Sequence, residues 1–145
     1  KKFNHKFLII NIKEEGLEKY IKKILKKNNI QEFFFLDQSF PFLIKTLNSK
    51  EKRCAVRFSE FEDIKTVLNL PKKVNWVWVD HFTKFPLNKV ISNNLRKEKI
   101  RICIVSPELV KKTSIQNIKK LKNFIQRKKI HIDAICTKNP ELWNK

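Results

Sequence analysis

Lys13, Asp37, Arg57, Asp80, Ser106 and Thr137 each stand at or just past the end of a short apolar run, where strand-forming sequence has no need of them. The runs read FLIINIK (7–13), FFFLD (33–37), CAVRFS (54–59), WVWVD (76–80), IRICIVS (100–106) and IDAICT (132–137). Arg57 leaves a buried run beside Ser59 and Glu60, and a guanidinium there can fork two N–H bonds onto a phosphate or close a structural ion pair with Glu60 or Asp37. Asp80 precedes His81, yet adjacent strand residues point to opposite faces, so a polar lining role suits Asp80 better than a local dyad. Glu108, after Ser106 and Pro107, lines a mouth or favours a helix N-terminus, and the second reading is the simpler. Trp76, Trp78 and Phe82 offer a wall on which a sugar could stack, with core packing as the default. His5 and His131 have no clustered partners and read as structural or exposed.

The elements that must position these residues follow from periodicity. Each apolar run has strand length and is followed by enough chain for a helix, with strand starts recurring every roughly 21 to 31 residues, the length of one β/α unit. Leu17, Tyr20, Ile21, Ile24 and Leu25 share one helical face until Asn28-Asn29. Ser39 and Pro41 open a second helix, and Ser59 with Glu62 has capping-box spacing for a third that runs to Pro71. A weaker helix over 87–97, a long one spanning Leu109 to Ile125 and a terminal turn through Pro140 complete the pattern. No hairpin signal occurs, so the strands are expected to be parallel, in an open sheet or most of a closed barrel, with ligands at the carboxyl ends of the strands. Gly16 is the only glycine, which removes glycine-rich phosphate loops and with them dinucleotide and P-loop readings.

Composition bounds the rest. The 145 residues are 41% hydrophobic, one domain's worth with a real core, and no run approaches the ~18 apolar residues of a membrane span. Nothing resembles a signal peptide, so a cytoplasmic location is expected. Cys54, Cys103 and Cys136 lie inside predicted strands without a Cys-x-x-Cys pair and read as core residues. The formal charge of +19 suggests a polyanionic partner, but the basic residues are mostly Lys on helix faces and the aromatics fall inside strands, so solvated lysine is preferred to a nucleic-acid surface. Methionine is absent even from position 1, which predicts a chain that is not a complete translation product.

Taken in order, these strand ends resemble those of the glycerophosphodiester phosphodiesterase and phosphatidylinositol phospholipase C-like barrels. Phe7 to Lys13 with Glu15-Gly16-Leu17 is similar to the family's third strand, and FFLDQSFP, VRFSEFE, WVWVDHF, CIVSPEL and DAICTKNPEL are similar to the strand ends that succeed it. The resemblance covers nearly the whole chain. It implies a partial TIM-type (β/α) barrel, one domain over residues 1–145, with six parallel strands each followed by a helix and the first two strands missing. It also implies hydrolysis of phosphodiesters of glycerol, inositol or a related polyol, by two histidines and a divalent cation, Ca or Mg. The histidines and most metal carboxylates would lie on the missing strands, leaving this chain inactive alone and open-edged, prone to self-association. Lys13 corresponds to a family lysine near the substrate phosphate; Arg57, Asp80 and Asp37 join it as expected substrate-binding residues. Asn11 occupies a position where the family carries a metal-binding Glu, a poorer ligand for a hard cation, and Thr137-Lys138 replaces a usual Thr-Asp. Two rivals remain: a non-catalytic module binding polyol phosphates, and a basic nucleic-acid-associated protein.

Overall fold

The computed structural model describes residues 7–110 and 115–144. Six strands appear where apolar runs predict them: β1 (Leu8–Asn11), β2 (Phe33–Leu36), β3 (Ala55–Phe58), β4 (Trp76–Val79), β5 (Arg101–Val105) and β6 (Ala134–Cys136). Between them lie α1 (Glu18–Lys27), α2 (Phe40–Asn48), α3 (Lys65–Leu68), α4 (Lys89–Lys97), α5 (Pro107–Val110) and α6 (Ile115–Arg127), and a 3-10 turn, Pro140–Leu142, follows β6. This is an α/β fold with parallel strands.

All pairings are parallel and follow sequence order. β1 pairs with β2 in one sheet, and β3, β4, β5 and β6 pair in succession in another. A parallel bridge between Phe35 and Cys54 joins the two sheets, backed by the Phe35 amide donating to the Arg53 carbonyl at 2.9 Å. The sheets are not closed: among the described residues β6 does not pair with β1. Right-handed crossovers between successive neighbours put the helices on one face. That face carries the larger core, where Phe33, Phe35, Val77, Val79, Ile102 and Ile104 meet Leu25, Leu43, Leu47, Leu95, Leu121 and Ile125 from the helices. The alternate residues, Phe34, Leu36, Ala55, Trp76, Trp78, Cys103 and Val105, form a second cluster on the opposite face, with Phe7 and Ile9 against it. Each large side chain so buried contributes about 1.5–3 kcal/mol.

Two elements differ from the sequence expectation. The third helix starts at Lys65, not Ser59, because Ser59 and Glu62 pair as an antiparallel bridge, with Ser59 Oγ donating to Glu62 Oε2 at 2.8 Å. The capping-box spacing thus closes a turn. The long fifth helix begins as the short α5 and resumes as α6; residues 111–114 between them lie outside the described chain.

Four helices end on a residue in the left-handed region: Asn29 (φ 55°), Lys50 (φ 65°), Lys99 (φ 58°) and Lys129 (φ 52°). After each, the next amide turns back to the last turn of the helix, as Ile100 does to Leu95 at 2.9 Å and Ile130 to Ile125 at 3.0 Å. Glycine is the usual residue here, and a Cβ costs on the order of 1 kcal/mol. Lys99→Gly and Lys129→Gly are each expected to raise unfolding free energy by about 0.5–1 kcal/mol in urea titrations; unchanged or lower midpoints would contradict this account of the helix ends.

Candidate functional site

The alternation that buries Trp76 and Trp78 also places Asp80 on the helix-free face, beyond Trp78 on β4. Arg57 is the residue opposite Trp78 on β3. Lys13 continues the alternation of Ile9 and Asn11 past the end of β1. Asp37 does not follow this rule. Leu36 belongs to the helix-free face, so Asp37 in an extended chain would face the helices. Its backbone instead adopts φ 61°, a conformation that Asp tolerates better than most residues, and the turn delivers its carboxylate to Arg57. Four successive strand ends therefore meet in one network.

Arg57 is its centre. Arg57 Nε donates to Asp37 Oδ1 at 2.8 Å, its NH2 group stands 2.8 Å from the same oxygen, and its NH1 group pairs with Asp80 Oδ2. Trp78 Nε1 donates to that Asp80 oxygen at 3.0 Å, and Lys13 Nζ reaches Asp37 Oδ2 at 3.4 Å. Asp80 is buried and Lys13 exposed. Burial raises the Asp80 carboxyl above its ordinary range, and the Arg57 charge and the Trp78 bond offset only part of that. Desolvation lowers Arg57, but the Asp37 hydrogen bond and the Asp80 and Asp37 charges outweigh it and hold the guanidinium above its usual value. Arg57 thus makes the ion pair with Asp37 that its position allows, and a second with Asp80, while Glu60 serves elsewhere.

Beside the network lies a cavity of about 540 Å³ between the ends of β2 and β3 and helices α2 and α3, with Asp37, Gln38, Arg57 and Phe61 on its wall. Gln38 Nε2 donates to Glu18 Oε1 and Thr46 Oγ1, both at 2.9 Å, while its Oε1 is buried without a hydrogen-bond partner. Phe61 is 74% exposed and its ring lies 5.9 Å from that of Phe82. Trp76 and Trp78 are core residues at 3% and 8% exposure, so of the expected stacking wall Phe82 alone reaches the surface, with Phe61 as its companion.

Glu60 holds the loop after β4. Its Oε1 accepts from the amides of Phe82 (2.8 Å), Thr83 and Lys84 (3.1 Å) and from Thr83 Oγ1 (2.9 Å). These bonds outweigh desolvation and draw the carboxyl down to about 2. Nothing in the sequence marks this role beyond a carboxylate two residues past a strand. A second polar group sits past β5 and β6. Glu108 accepts from Ser106 Oγ, Thr137 Oγ1 and the Lys138 amide, and Trp143 Nε1 donates to Ser106 Oγ at 3.0 Å. Glu108 therefore ties two strand ends together in addition to opening α5.

Asn11 ends β1 exposed, and Asp37 and Asp80 are already engaged by Arg57. Among the described residues no group of three His, Cys, Asp or Glu is arranged to hold a metal ion, so no chemical step is assigned to one. Cys54 and Cys103 are buried and Cys136 half-buried, all as free thiols; burial pushes the Cys54 thiol up to about 12 and raises the other two. His131 Nε2 lies 3.1 Å from Asp133 Oδ1, away from the network, and His5 lies outside the described residues. No helix among the described residues is long and apolar enough to cross a membrane. No protein family, curated protein or solved structure matches the chain.

Two outcomes follow from the network. Arg57→Ala leaves the Asp80 carboxylate buried without its cation and is expected to cost about 2 kcal/mol at pH 7, a buried-pair value reduced for the partial exposure of Arg57. A carboxyl whose folded pKa exceeds its unfolded value destabilises the fold fully above the folded pKa, and the penalty fades as pH falls from there to the unfolded pKa. The deficit of the variant should therefore shrink as pH falls through the raised Asp80 pKa toward the ordinary carboxyl value of 3.8, and adding Asp80→Asn should restore stability at pH 7; a deficit independent of pH and of Asp80 would refute the pairing. For Glu60 the sign is opposite. Its folded pKa is depressed, so its hold on the loop is complete above about 4.5 and is lost as pH falls through about 2. Amide chemical shifts of Phe82, Thr83 and Lys84 should titrate together near pH 2, and a common midpoint near 4.5 would show that the bonds are absent in solution.

Proposed function

We propose that the carboxyl edge binds a phosphodiester of a small polyol, and that the chain belongs to a phosphodiester hydrolase of the partial-barrel kind its strand ends resemble. The observation that carries this reading is the meeting of Lys13, Asp37, Arg57 and Asp80 from four successive strands in one hydrogen-bonded network beside a cavity. Sequential parallel order, with helices to one side, is the arrangement of a barrel wall and supports the same reading.

The charges narrow the ligand. Lys13 and Arg57 are balanced by Asp37 and Asp80, so the network is close to neutral and has little excess attraction for a dianion. A diester carries one negative charge and a monoester nearly two, so the balance favours the diester. Lys13 and the N–H groups of Arg57 not spent on carboxylates face the phosphate, and Asp80 Oδ1 accepts from a polyol hydroxyl. In this reading these residues bind and orient; the acid and base of hydrolysis are the histidines that the resemblance calls for.

Titration calorimetry with glycerophosphocholine and with glycerol phosphate tests the proposal. The diester is expected to bind more tightly, with Lys13→Ala weakening it about tenfold, the loss of one charge-assisted bond. No diester binding, or binding indifferent to Lys13, overturns it. In this reading no choline is released in the same samples, because Lys13, Asp37, Arg57 and Asp80 bind and orient the diester while the histidines lie outside this set.

A further inference from the structure

We propose that the opposite edge of the sheet, at the amino ends of the strands, binds the phosphate backbone of duplex nucleic acid. This edge is built from the connections that return each helix to the next strand. Adjacent basic residues stand in or just before every one of them, in the connection itself at 52–53, 72–73 and 128–129 and in the last helical turn leading into it at 26–27 and 96–97. The connections are neighbours in space. Arg53 NH1 donates to the Gln31 carbonyl at 3.0 Å, the Asn75 amide to the Lys52 carbonyl at 2.8 Å, and the Arg101 amide to the Asn75 carbonyl at 2.9 Å. At the ordinary strand spacing the row extends on the order of 20 Å, enough to meet several phosphates of one duplex.

Among the described residues four carboxylates lie along this row and are outnumbered by its cations: Glu32 acts on Arg53, Asp133 pairs with His131, and two more make the following pairs. Glu51 takes Arg53 and Lys22, and Glu98 pairs with Lys73. Lys26, Lys27, Lys72, Lys97 and Lys128 are exposed and form no ion pair among the described residues. The Arg101 guanidinium carbon stands 4.3 Å from the centre of the Trp76 ring, a cation–π contact that holds its charge at the edge. The carboxyl edge has the reverse character, with Glu14, Glu15, Glu60, Glu62, Asp63 and Glu108 on its loops. Among the described residues, part of the chain's excess positive charge thus lies along the amino edge, while the rest is spread over the helix faces. Lysines near helix C-termini also complement the helix dipole, but that effect accounts for the last turns and not for 52–53 and 72–73, which lie beyond them.

The partner follows from what the edge lacks. A lipid surface is held by apolar side chains inserted beside the cations, and a single strand by aromatic faces on which bases stack. Among the described residues the exposed large apolar side chains, such as Tyr20, Phe40, Phe61, Phe82 and Val90, lie on helices or on the carboxyl-edge loops. Among the described residues the aromatics of the amino edge are Phe33 and Trp76, both buried, and Phe7, half-buried with its ring against Trp76. A face on which cations outnumber carboxylates matches a duplex backbone read without regard to sequence.

Fluorescence anisotropy with a labelled 20-base-pair duplex tests this across a salt series. A triple variant, Lys72→Gln with Lys97→Gln and Lys128→Gln, is set against a control with the same loss of charge elsewhere, Lys65→Gln with Lys84→Gln and Lys89→Gln. The amino-edge variant is expected to lose at least tenfold in affinity and to flatten the log–log salt slope by about 2 to 3, with the control near the parent. Lys13→Ala should bind duplex as the parent does, which separates this edge from the diester site. The proposal is overturned if both triple variants weaken binding equally, if single strand binds more tightly than duplex, if vesicles rich in phosphatidylserine bind as strongly with the same variant dependence, or if no duplex binding occurs at low salt. Melting curves of both variants establish that each is folded.

Discussion

A parallel sheet whose strands run in sequence order has helices on one face only, and the other face must bury itself. Phe34, Trp76 and Trp78 meet that requirement here: the Phe34 ring lies 5.1 Å from that of Trp76 and 6.2 Å from that of Trp78, in one cluster with the small side chains of Ala55 and Cys103. Without this layer the strands would expose an apolar surface too large for a stable monomer. The strands can accordingly be nearly continuous apolar runs, buried on both sides. Polar side chains are excluded from the sheet itself and collect at its two ends.

That exclusion explains why the two ends differ. At the carboxyl end, side chains leave the aromatic layer pointing the same way, with Arg57 opposite Trp78 and Asp80 two residues beyond it. Each is stable there only through the other, since a half-buried guanidinium and a buried carboxylate are costly singly. At the amino end the chain arrives from helix termini, where cations suit the dipole and glycine is almost absent, and lysine takes the left-handed positions at 50, 99 and 129. Opposite charge accumulates at opposite ends of one small fold.

Strand positions and direction were legible because buried parallel strands read as unbroken apolar runs, and those runs stand out against lysine-rich helices. The meeting of Lys13, Arg57 and Asp80 follows from alternation once the strands are in order. Asp37 did not follow from alternation, which would turn it toward the helices; its left-handed backbone has no sequence mark beyond the tolerance of Asp for that state. The Ser59 and Glu62 pair shows the limit of spacing: a hydroxyl and a carboxylate three apart meet as well across a turn as around a helix start. The basic edge escaped a reading along the chain for a different reason. Its residues are dispersed over a hundred positions and resemble ordinary solvated lysines until the connections are brought side by side.

The hydrogen bond from Trp78 to Asp80 couples the aromatic layer to the polar network above it. An indole that donates to a carboxylate emits according to the charge and solvation of its acceptor, so the protein carries an intrinsic optical gauge of the Arg57–Asp80 pair. Trp76 is set apart from that carboxylate by its position two residue pairs below Trp78 on the same strand, and Trp143 donates to Ser106 at the far side of the sheet. Removing Trp143 would leave an emission spectrum dominated by two indoles in one layer, only one of which senses the edge, and events there could be followed in real time without a label.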